Sequence, residues 1–314
     1  MIKVLVTGGA GFIGSHIVDR LVKEGHQVLV VDNLSTGHRI NLNPSAEFVK
    51  LDIQDDALAD TFNRFGPEVV IHHAAQVAVT HSIRHPLYDA RVNIMGTLNV
   101  LEACHKSGVR KLIYASSAAV YGLPESDMLK ETHAIKPLSF YGISKHTPEH
   151  YIETYARLIG LDFTILRYAN VYGGRQDAKG EGGVVSIFAS KLLNNERCAI
   201  FGDGEQTRDF IYVKDIVSAN ISALTRGSGK IMNISGGSAT SINQLLRTMC
   251  DITGKRFAPV YMAPRTGDIK DSVLDNRLAV KELGWSPEYT LHDGLLETLD
   301  FEKQSRTKVE KGVS

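Results

Sequence analysis

The segment Thr7-Gly8-Gly9-Ala10-Gly11-Phe12-Ile13-Gly14-Ser15 limits the possible folds of this chain more than any other. An apolar run, Lys3 to Thr7, precedes it, and an amphipathic run, Ile13 to Lys23, follows. Gly9, Gly11 and Gly14 satisfy the G-x-G-x-x-G pattern, and Gly8, Gly11 and Gly14 give a GxxGxxG spacing as well. Glycines at these points permit a tight turn from strand into helix. They also let backbone amides approach a pyrophosphate at the helix N-terminus, where the dipole favours an anion. The pattern predicts the opening unit of a dinucleotide-binding α/β fold.

The rest of the first 170 residues keeps the same alternation. Short Val/Ile/Leu runs at Gln27 to Val31, Glu47 to Leu51, Val69 to His72, Lys111 to Ala115 and Asp162 to Arg167 read as buried strands. Amphipathic stretches at Val92 to Lys106 and Tyr141 to Leu158 lie between them. This order predicts a doubly wound parallel sheet of the Rossmann type over residues 1–170. After Asn170 the pattern loosens and glycines cluster at Gly173-Gly174, Gly180 and Gly182-Gly183. Residues 171–304 read as a smaller substrate-binding part of loops and short helices, with Lys230 to Ile234 available to join the first sheet. Residues 305–314 are polar and read as a frayed tail. Pro148 falls inside the Tyr141 helix, where a kink or local opening is expected.

Composition narrows the partners. Among 314 residues, 35 basic and 35 acidic side chains balance without a long run of one sign, which argues against nucleic acid or an anionic membrane. Cys104, Cys198 and Cys250 are an odd number at wide spacing, so the expectation is a reducing cytoplasm and no disulfide framework or zinc site. Met1-Ile2-Lys3 runs straight into a strand, with no expected signal peptide, and no apolar run reaches the roughly 18 residues that span a bilayer.

Asp32 ends the second strand, 18 residues after Gly14, where a carboxylate binds the adenosine ribose of a dinucleotide. It would repel an extra phosphate, and no arginine follows it immediately, so NAD is favoured over NADP. Asp52-Ile53 after the third strand could flank the adenine. Ala74-Ala75-Gln76 after the fourth puts small residues where the dinucleotide would cross the sheet edge. Tyr141 and Lys145 are four apart and share a helix face. A nearby ammonium lowers a phenol's pKa, and a cationic nicotinamide would lower it further, giving a base for an alcohol near neutral pH. Ser117, 24 residues upstream, can hold the same substrate oxygen.

The segments TGGAGFIGSH, DNLSTG, HHAAQ, YASSAAVYG, YGISK and LRYANVYG resemble the extended short-chain dehydrogenase/reductase family. FGDGEQTRDFIYVKDI, APRTGDIKDSVLD and KELGW are similar to its nucleotide-sugar 4-epimerase branch, and the likeness runs over about residues 1 to 300 in the family's order. The resemblance implies NAD-dependent 4-epimerisation of a UDP-hexose, UDP-glucose or UDP-galactose, through a transient 4-keto sugar. It implies Ser117, Tyr141 and Lys145 as catalytic residues. It implies NAD contacts from Gly8, Gly11, Phe12, Ile13, Gly14, Asp32, Asn33, Asp52, Ile53, Ala74, Asn93, Tyr141, Lys145 and Tyr168. On the substrate side it implies Asn170 at the phosphates, Ala199 and Phe201 at the uridine, Arg208 and Arg265 on the diphosphate and Asp268 at a ribose. Planar guanidinium forks suit phosphate oxygens. A homodimer pairing the helices near Val92 to Lys106 and Tyr141 to Leu158 is implied as well.

Departures from the family's patterns sharpen the reading. Dehydratase relatives carry an Asp-Glu pair just after the catalytic hydroxyl and decarboxylases a Glu, but this chain has Ala118-Ala119. Elimination of water would lack its proton donor. Val77 stands where some epimerases have lysine, and Thr266 where proline is frequent. Ser272 matches the gate beside the sugar C2 substituent; a small residue there predicts that UDP-GlcNAc and UDP-GalNAc are accepted too. Rival readings are a UDP-glucuronate 4-epimerase, a dTDP- or GDP-sugar 4-reductase, and a silent dinucleotide sensor. His81 and His85 have metal-compatible i, i+4 spacing but no accompanying carboxylate pattern, and read as surface residues.

Overall fold

A computed structural model describes residues 1–178, 183–264 and 269–310, with side chains as far as 307. In chain order the first part runs β1 (Lys3–Thr7), α1 (Phe12–Lys23), β2 (Gln27–Asp32), β3 (Glu47–Lys50), α2 (Leu58–Phe65), β4 (Val69–His72), α3 (Val79–Arg84), α4 (Pro86–Ala90), α5 (Gly96–Lys106), β5 (Lys111–Ser117), α6 (Phe140–Ile159) and β6 (Asp162–Tyr168). Then follow β7 (Asn170–Tyr172), α7 (Val184–Leu193), β8 (Ala199–Phe201), β9 (Thr207–Arg208), β10 (Phe210–Tyr212), α8 (Val213–Ala223) and β11 (Lys230–Ile234). The described chain ends with β12 (Thr240–Ser241), α9 (Ile242–Thr253), β13 (Val260–Met262), α10 (Arg277–Leu283) and α11 (Leu291–Glu310).

Seven strands form one sheet in the order β11-β6-β5-β4-β1-β2-β3, every neighbour parallel. Side chains alternate across it. Val4, Val6, Val28 and Val30 pack with α1 and α8, whereas Leu5, Leu29, Val31 and Val70 pack with α2, α5 and α6. Both faces are covered by helices, as near-continuous apolar strands require. The strand order reverses between β1 and β4, so a crevice opens there at the carboxyl ends of the strands. β11 is the edge strand of this sheet and α8 packs on α1, so chain beyond residue 212 returns to the first layer.

The other late segments pair two by two: β10 with β7, β12 with β9 and β13 with β8. Their core gathers Phe188, Ile200, Tyr212, Leu245, Met249 and Leu299 under α7, α9 and α11. Between α4 and α5 the helix widens into a π turn over Arg91–Met95, which turns Asn93 inward. α6 runs unbroken from Phe140 to Ile159 through Pro148, whose missing N–H leaves the Ser144 carbonyl without its helical donor. No described helix is long and apolar enough to cross a membrane.

Candidate active site

The glycine turn lies at the strand-order reversal. The Gly8 N–H donates to the Val31 carbonyl at 2.9 Å, and the Gly11 N–H to the Gly8 carbonyl at 3.1 Å. Gly8 adopts φ +70°, and a Cβ on it would sit 2.6 Å from the Ala74 nitrogen. A Cβ on Gly14 would sit 2.2 Å from the Gly8 oxygen. No side chain other than hydrogen fits at either point, so the head of α1 is presented as bare backbone. Such a cradle suits the diphosphate of a dinucleotide.

Asp32 closes the turn from the side. Its carboxylate accepts the Ala10 N–H at 3.0 Å and the Leu34 N–H at 2.8 Å, which orients it at the end of β2. Asn33 donates to Asp52 at 2.7 Å. Ile53 is buried and leaves no room for a side chain at Gly96, where a Cβ would come within 2.6 Å of it. Ala74 donates its N–H to the Thr7 hydroxyl at 3.2 Å. That hydroxyl also bonds His72, so the two-histidine strand end is tied into the turn. Phe12 and Ile13 face the other way, against the core under α7, α9 and α11.

Ser117 ends β5, and α6 begins close beside it. Gly142 allows this approach, because a Cβ there would meet the Ala119 carbonyl at 2.5 Å. Ser139 caps the helix by accepting the Gly142 N–H at 3.1 Å. Tyr141 lies within reach of the Ser117 hydroxyl, which favours the phenolate. Lys145 follows one turn on, 4% exposed, with its Nζ 4.6 Å from the centre of the Tyr114 ring. Burial pulls the Lys145 ammonium down to about 8, while the charges of Glu149 and Asp89 draw it back up.

The expected lowering of the Tyr141 pKa is not what the protein alone produces. Burial raises it, the Ser117 hydrogen bond lowers it, and the Asp89 charge raises it again. The i, i+4 spacing set the shared face correctly, but the lysine tip lies over Tyr114. A further positive charge beside the phenol is needed to make it a base near neutral pH.

Several side chains behind these residues went unread in the sequence. Glu149 accepts two hydrogen bonds from Arg167, at 3.0 and 2.6 Å, one from Ser116 at 2.6 Å and one from His146 at 3.0 Å. Burial pushes the Glu149 carboxyl up, but these partners outweigh it and hold it at about 2. Ser116 precedes Ser117, Glu149 lies one turn beyond Lys145, and Arg167 precedes Tyr168. One ion pair therefore fixes β5, α6 and β6 against one another. Its signal was present: Glu149 stands four residues after Lys145, and Arg167 interrupts an apolar strand. Asn93 similarly donates to the Gln76 carbonyl and the Ser144 hydroxyl, each at 2.9 Å.

Tyr168 stacks on His73, and its hydroxyl accepts from Asn220 at 2.8 Å. His73 Nε2 lies 3.0 Å from that hydroxyl, whereas its Nδ1 is buried without a hydrogen-bond partner. Burial, then the Lys145 charge, lowers His73 to about 3, so the ring is neutral. A neutral ring with an unmet polar atom at the carboxyl end of β4 is consistent with a polar ligand in the crevice.

On the substrate side Asn170 begins β7 and bonds the Asp209 carbonyl through both its backbone N–H, at 2.9 Å, and its side chain, at 3.1 Å. Ala199 and Phe201 belong to β8, held parallel to β13. Arg208 lies on β9 and donates to the Thr207 carbonyl at 2.7 Å. Ser272 is half-buried in the segment that follows residue 268. Arg265, Thr266 and Asp268 lie outside the described residues. The His81 and His85 rings lie 4.7 Å apart, and no group of three or more metal-type ligands occurs among the described residues.

Residues 4–235 match the family described as the NAD dependent epimerase/dehydratase family. A putative UDP-glucose 4-epimerase of Methanocaldococcus jannaschii is 48% identical, over 96% of this chain and 99% of its own. The UDP-glucose 4-epimerase of Thermotoga maritima, solved with UDP-glucose, superposes with a TM-score of 0.95 at 45% identity, covering 97% of this chain and 100% of its own. A UDP-N-acetylglucosamine 4-epimerase from Methanobrevibacter ruminantium, in complex with UDP-N-acetylmuramic acid, gives 0.93 at 36% identity, over 97% and 99%.

Proposed function

This chain belongs to the NAD-dependent epimerase/dehydratase family, and on that premise we propose that it interconverts the 4-epimers of a UDP-hexose, UDP-glucose and UDP-galactose, through a transient 4-keto sugar. The observation that carries this reading is the placement of Ser117, at the end of β5, against the head of α6, which bears Tyr141 and, one turn on, Lys145, beside a glycine turn that bare backbone alone can form. Bound NAD supplies reversible hydride transfer at the sugar C4 and a positive charge beside the phenol. Gly8, Gly11, Gly14, Asp32, Asn33 and Asp52 would hold its adenosine and diphosphate end, with Phe12, Ile13, Ile53 and Ala74 beside them. Asn93, Tyr168 and Lys145 would border the other end.

In this reading Tyr141 takes the proton of the 4-hydroxyl and later returns it. Ser117 fixes the same oxygen, and Lys145 keeps the phenolate form accessible. Ala118 and Ala119 supply no acid for loss of water, so the keto sugar is reduced again and not dehydrated. Asn170, Ala199, Phe201 and Arg208, with Arg265 and Asp268, would hold the UDP while the sugar turns over. Residues 1–170 serve as the cofactor part and 171–304 as the sugar-nucleotide part. The protein would work in the cytoplasm, where its three buried thiols stay reduced. A homodimer is supported by the outward apolar side chains Met95, in the π turn before α5, and Ile143, Tyr151 and Leu158, on α6.

Ser272 would leave room for an N-acetyl group, in line with the N-acetylglucosamine specificity in the name of one neighbour. Incubation with UDP-galactose and, separately, UDP-GalNAc, without added reductant, tests both points when the 4-epimers are resolved by NMR. Conversion of both is expected; conversion of neither refutes the epimerase reading. The variant Ser272→Tyr should lose only the N-acetyl activity, and a parallel loss of both would refute the gate.

A further inference from the structure

The substrate-side residues come from three short segments that share no sheet. Asn170 lies on β7, Arg208 on β9 and Ser272 in the segment before α10. All three adjoin one buried residue, Asp209, which is 1% exposed. Its backbone carbonyl accepts both hydrogen bonds from Asn170. Its carboxylate accepts the Gly236 N–H at 2.8 Å, the Gly237 N–H at 3.2 Å and the Leu274 N–H at 3.1 Å. Leu274 stands two residues after Ser272, and Arg208 is the chain neighbour of Asp209. The Gly236-Gly237 turn directly follows β11 through Ser235, so the carboxylate also reaches the edge of the large sheet.

No other single described side chain accepts from both the β11 turn and the Leu274 segment while lying next to Arg208. The Leu274 segment touches the first layer through Leu129, whose N–H donates to the Val273 carbonyl at 2.8 Å. It meets β9 through the Thr207 N–H, which donates to the Lys270 carbonyl at 2.8 Å. Neither contact ties it to Asn170; the β11 turn is tied to it separately, by Ser235 Oγ donating to the Leu274 carbonyl at 3.0 Å and Asn276 to the Ser235 carbonyl at 2.8 Å. An ionised carboxylate is acceptor-only, with about four lone-pair sites, which suits a point where several backbone donors meet.

We propose that Asp209 is the positioning residue of the substrate side, setting the spacing of Asn170, Arg208 and Ser272 and hence the affinity for the UDP moiety without touching it. This rests on the functional reading above. Burial raises the Asp209 carboxyl to about 6 against the pull of the Leu274, Gly236, Ser235 and Gly237 hydrogen bonds, so the charge is held there against a solvation penalty. A residue chosen for stability alone would avoid that penalty.

The test replaces Asp209 by Asn, which turns one acceptor oxygen into a donor facing backbone N–H groups. UDP is the probe, titrated calorimetrically into the NAD-loaded protein. D209N should bind UDP about tenfold more weakly or worse, as expected when a buried donor loses its partner. It should retain its NAD, and KM for UDP-galactose should rise more than kcat falls. Should D209N not fold, Gly236→Ala serves instead, because a Cβ there would lie 2.7 Å from the Phe210 oxygen and displace the turn from the carboxylate. Unchanged UDP affinity overturns the proposal. Equal loss of NAD and UDP with a lowered melting temperature overturns it too, since that is a structural role only. A wild-type protein that binds no UDP overturns the functional reading as well, whereas wild-type binding with an unaltered variant overturns this proposal alone.

Discussion

Two buried carboxylates, Glu149 and Asp209, hold the two sides of the candidate site, and they do so in opposite electrostatic circumstances. Glu149 meets a guanidinium in a two-bond fork, and its carboxyl lies at about 2. Asp209 meets backbone N–H groups, and its carboxyl rises to about 6. The first joins three long elements of one seven-stranded sheet and its covering helix. The second lies between β9 and β10, strands of two and three residues outside the large sheet, and reaches the turn after β11 and the Leu274 segment. The expected cofactor side thus rests on one continuous sheet, and the expected substrate side on separate short strand pairs. A scaffold of this kind can vary its sugar pocket while leaving the dinucleotide site undisturbed.

The largest expected effect removes what both sides share. Tyr141→Phe should lower turnover by about a hundredfold to ten-thousandfold, the usual range for a positioned general base. Retained NAD, measured as nucleotide released on denaturation, should be unchanged, and so should UDP affinity. Unaltered turnover would exclude Tyr141 as the base.

Glu149→Ala comes next and sharpens the contrast. It leaves Arg167 buried without its carboxylate, a loss of roughly 3–5 kcal/mol by analogy with other buried pairs. Urea unfolding should show it, and NAD retention should fall before UDP affinity does. D209N should show the reverse order. If both variants lost the same ligand first, the division of labour would be wrong.

The pH dependence of stability gives the smallest effect, with opposite signs for the two groups. Glu149 is lowered from its ordinary value of 4.5, so its contribution is present above that pH and is lost as pH falls toward 2. Asp209 is raised from 3.8, so the fold binds its proton more tightly than the unfolded chain does. Its contribution is greatest below about 4 and fades as pH rises through 6. The move from 3.8 to about 6 corresponds to roughly 3 kcal/mol. Unfolding of wild type and D209N at several pH values should show wild type gaining on the variant as pH falls from 7 to 4. A constant difference would mean that Asp209 titrates normally.

Local patterns made the cofactor side readable. A glycine turn between a strand and a helix, and a carboxylate at the end of the next strand, are short-range signals that the fold then uses directly. Strands buried on both faces show themselves as apolar runs, including Lys230 to Ile234. The return of α8 onto α1 carried no such mark, because an amphipathic helix does not state which surface it covers. Asp209 was hidden for a related reason. It sits beside Arg208 in a segment read for its arginine, and its partners are 27, 28 and 65 residues away. The tip of Lys145 was misplaced because spacing fixes a helical face and not the reach of a long side chain.

The π turn at Arg91–Met95 adds one residue to a rod that otherwise runs from Pro86 to Lys106. It works as a phase-setter between the two ends of that rod. Each residue of an α-helix advances the face by about 100°, so the added one turns α5 by about that angle relative to α4, while within the turn Asn93 is buried and Met95 exposed. The faces that α4 and α5 turn toward the sheet are therefore set relative to each other by a single local count of residues.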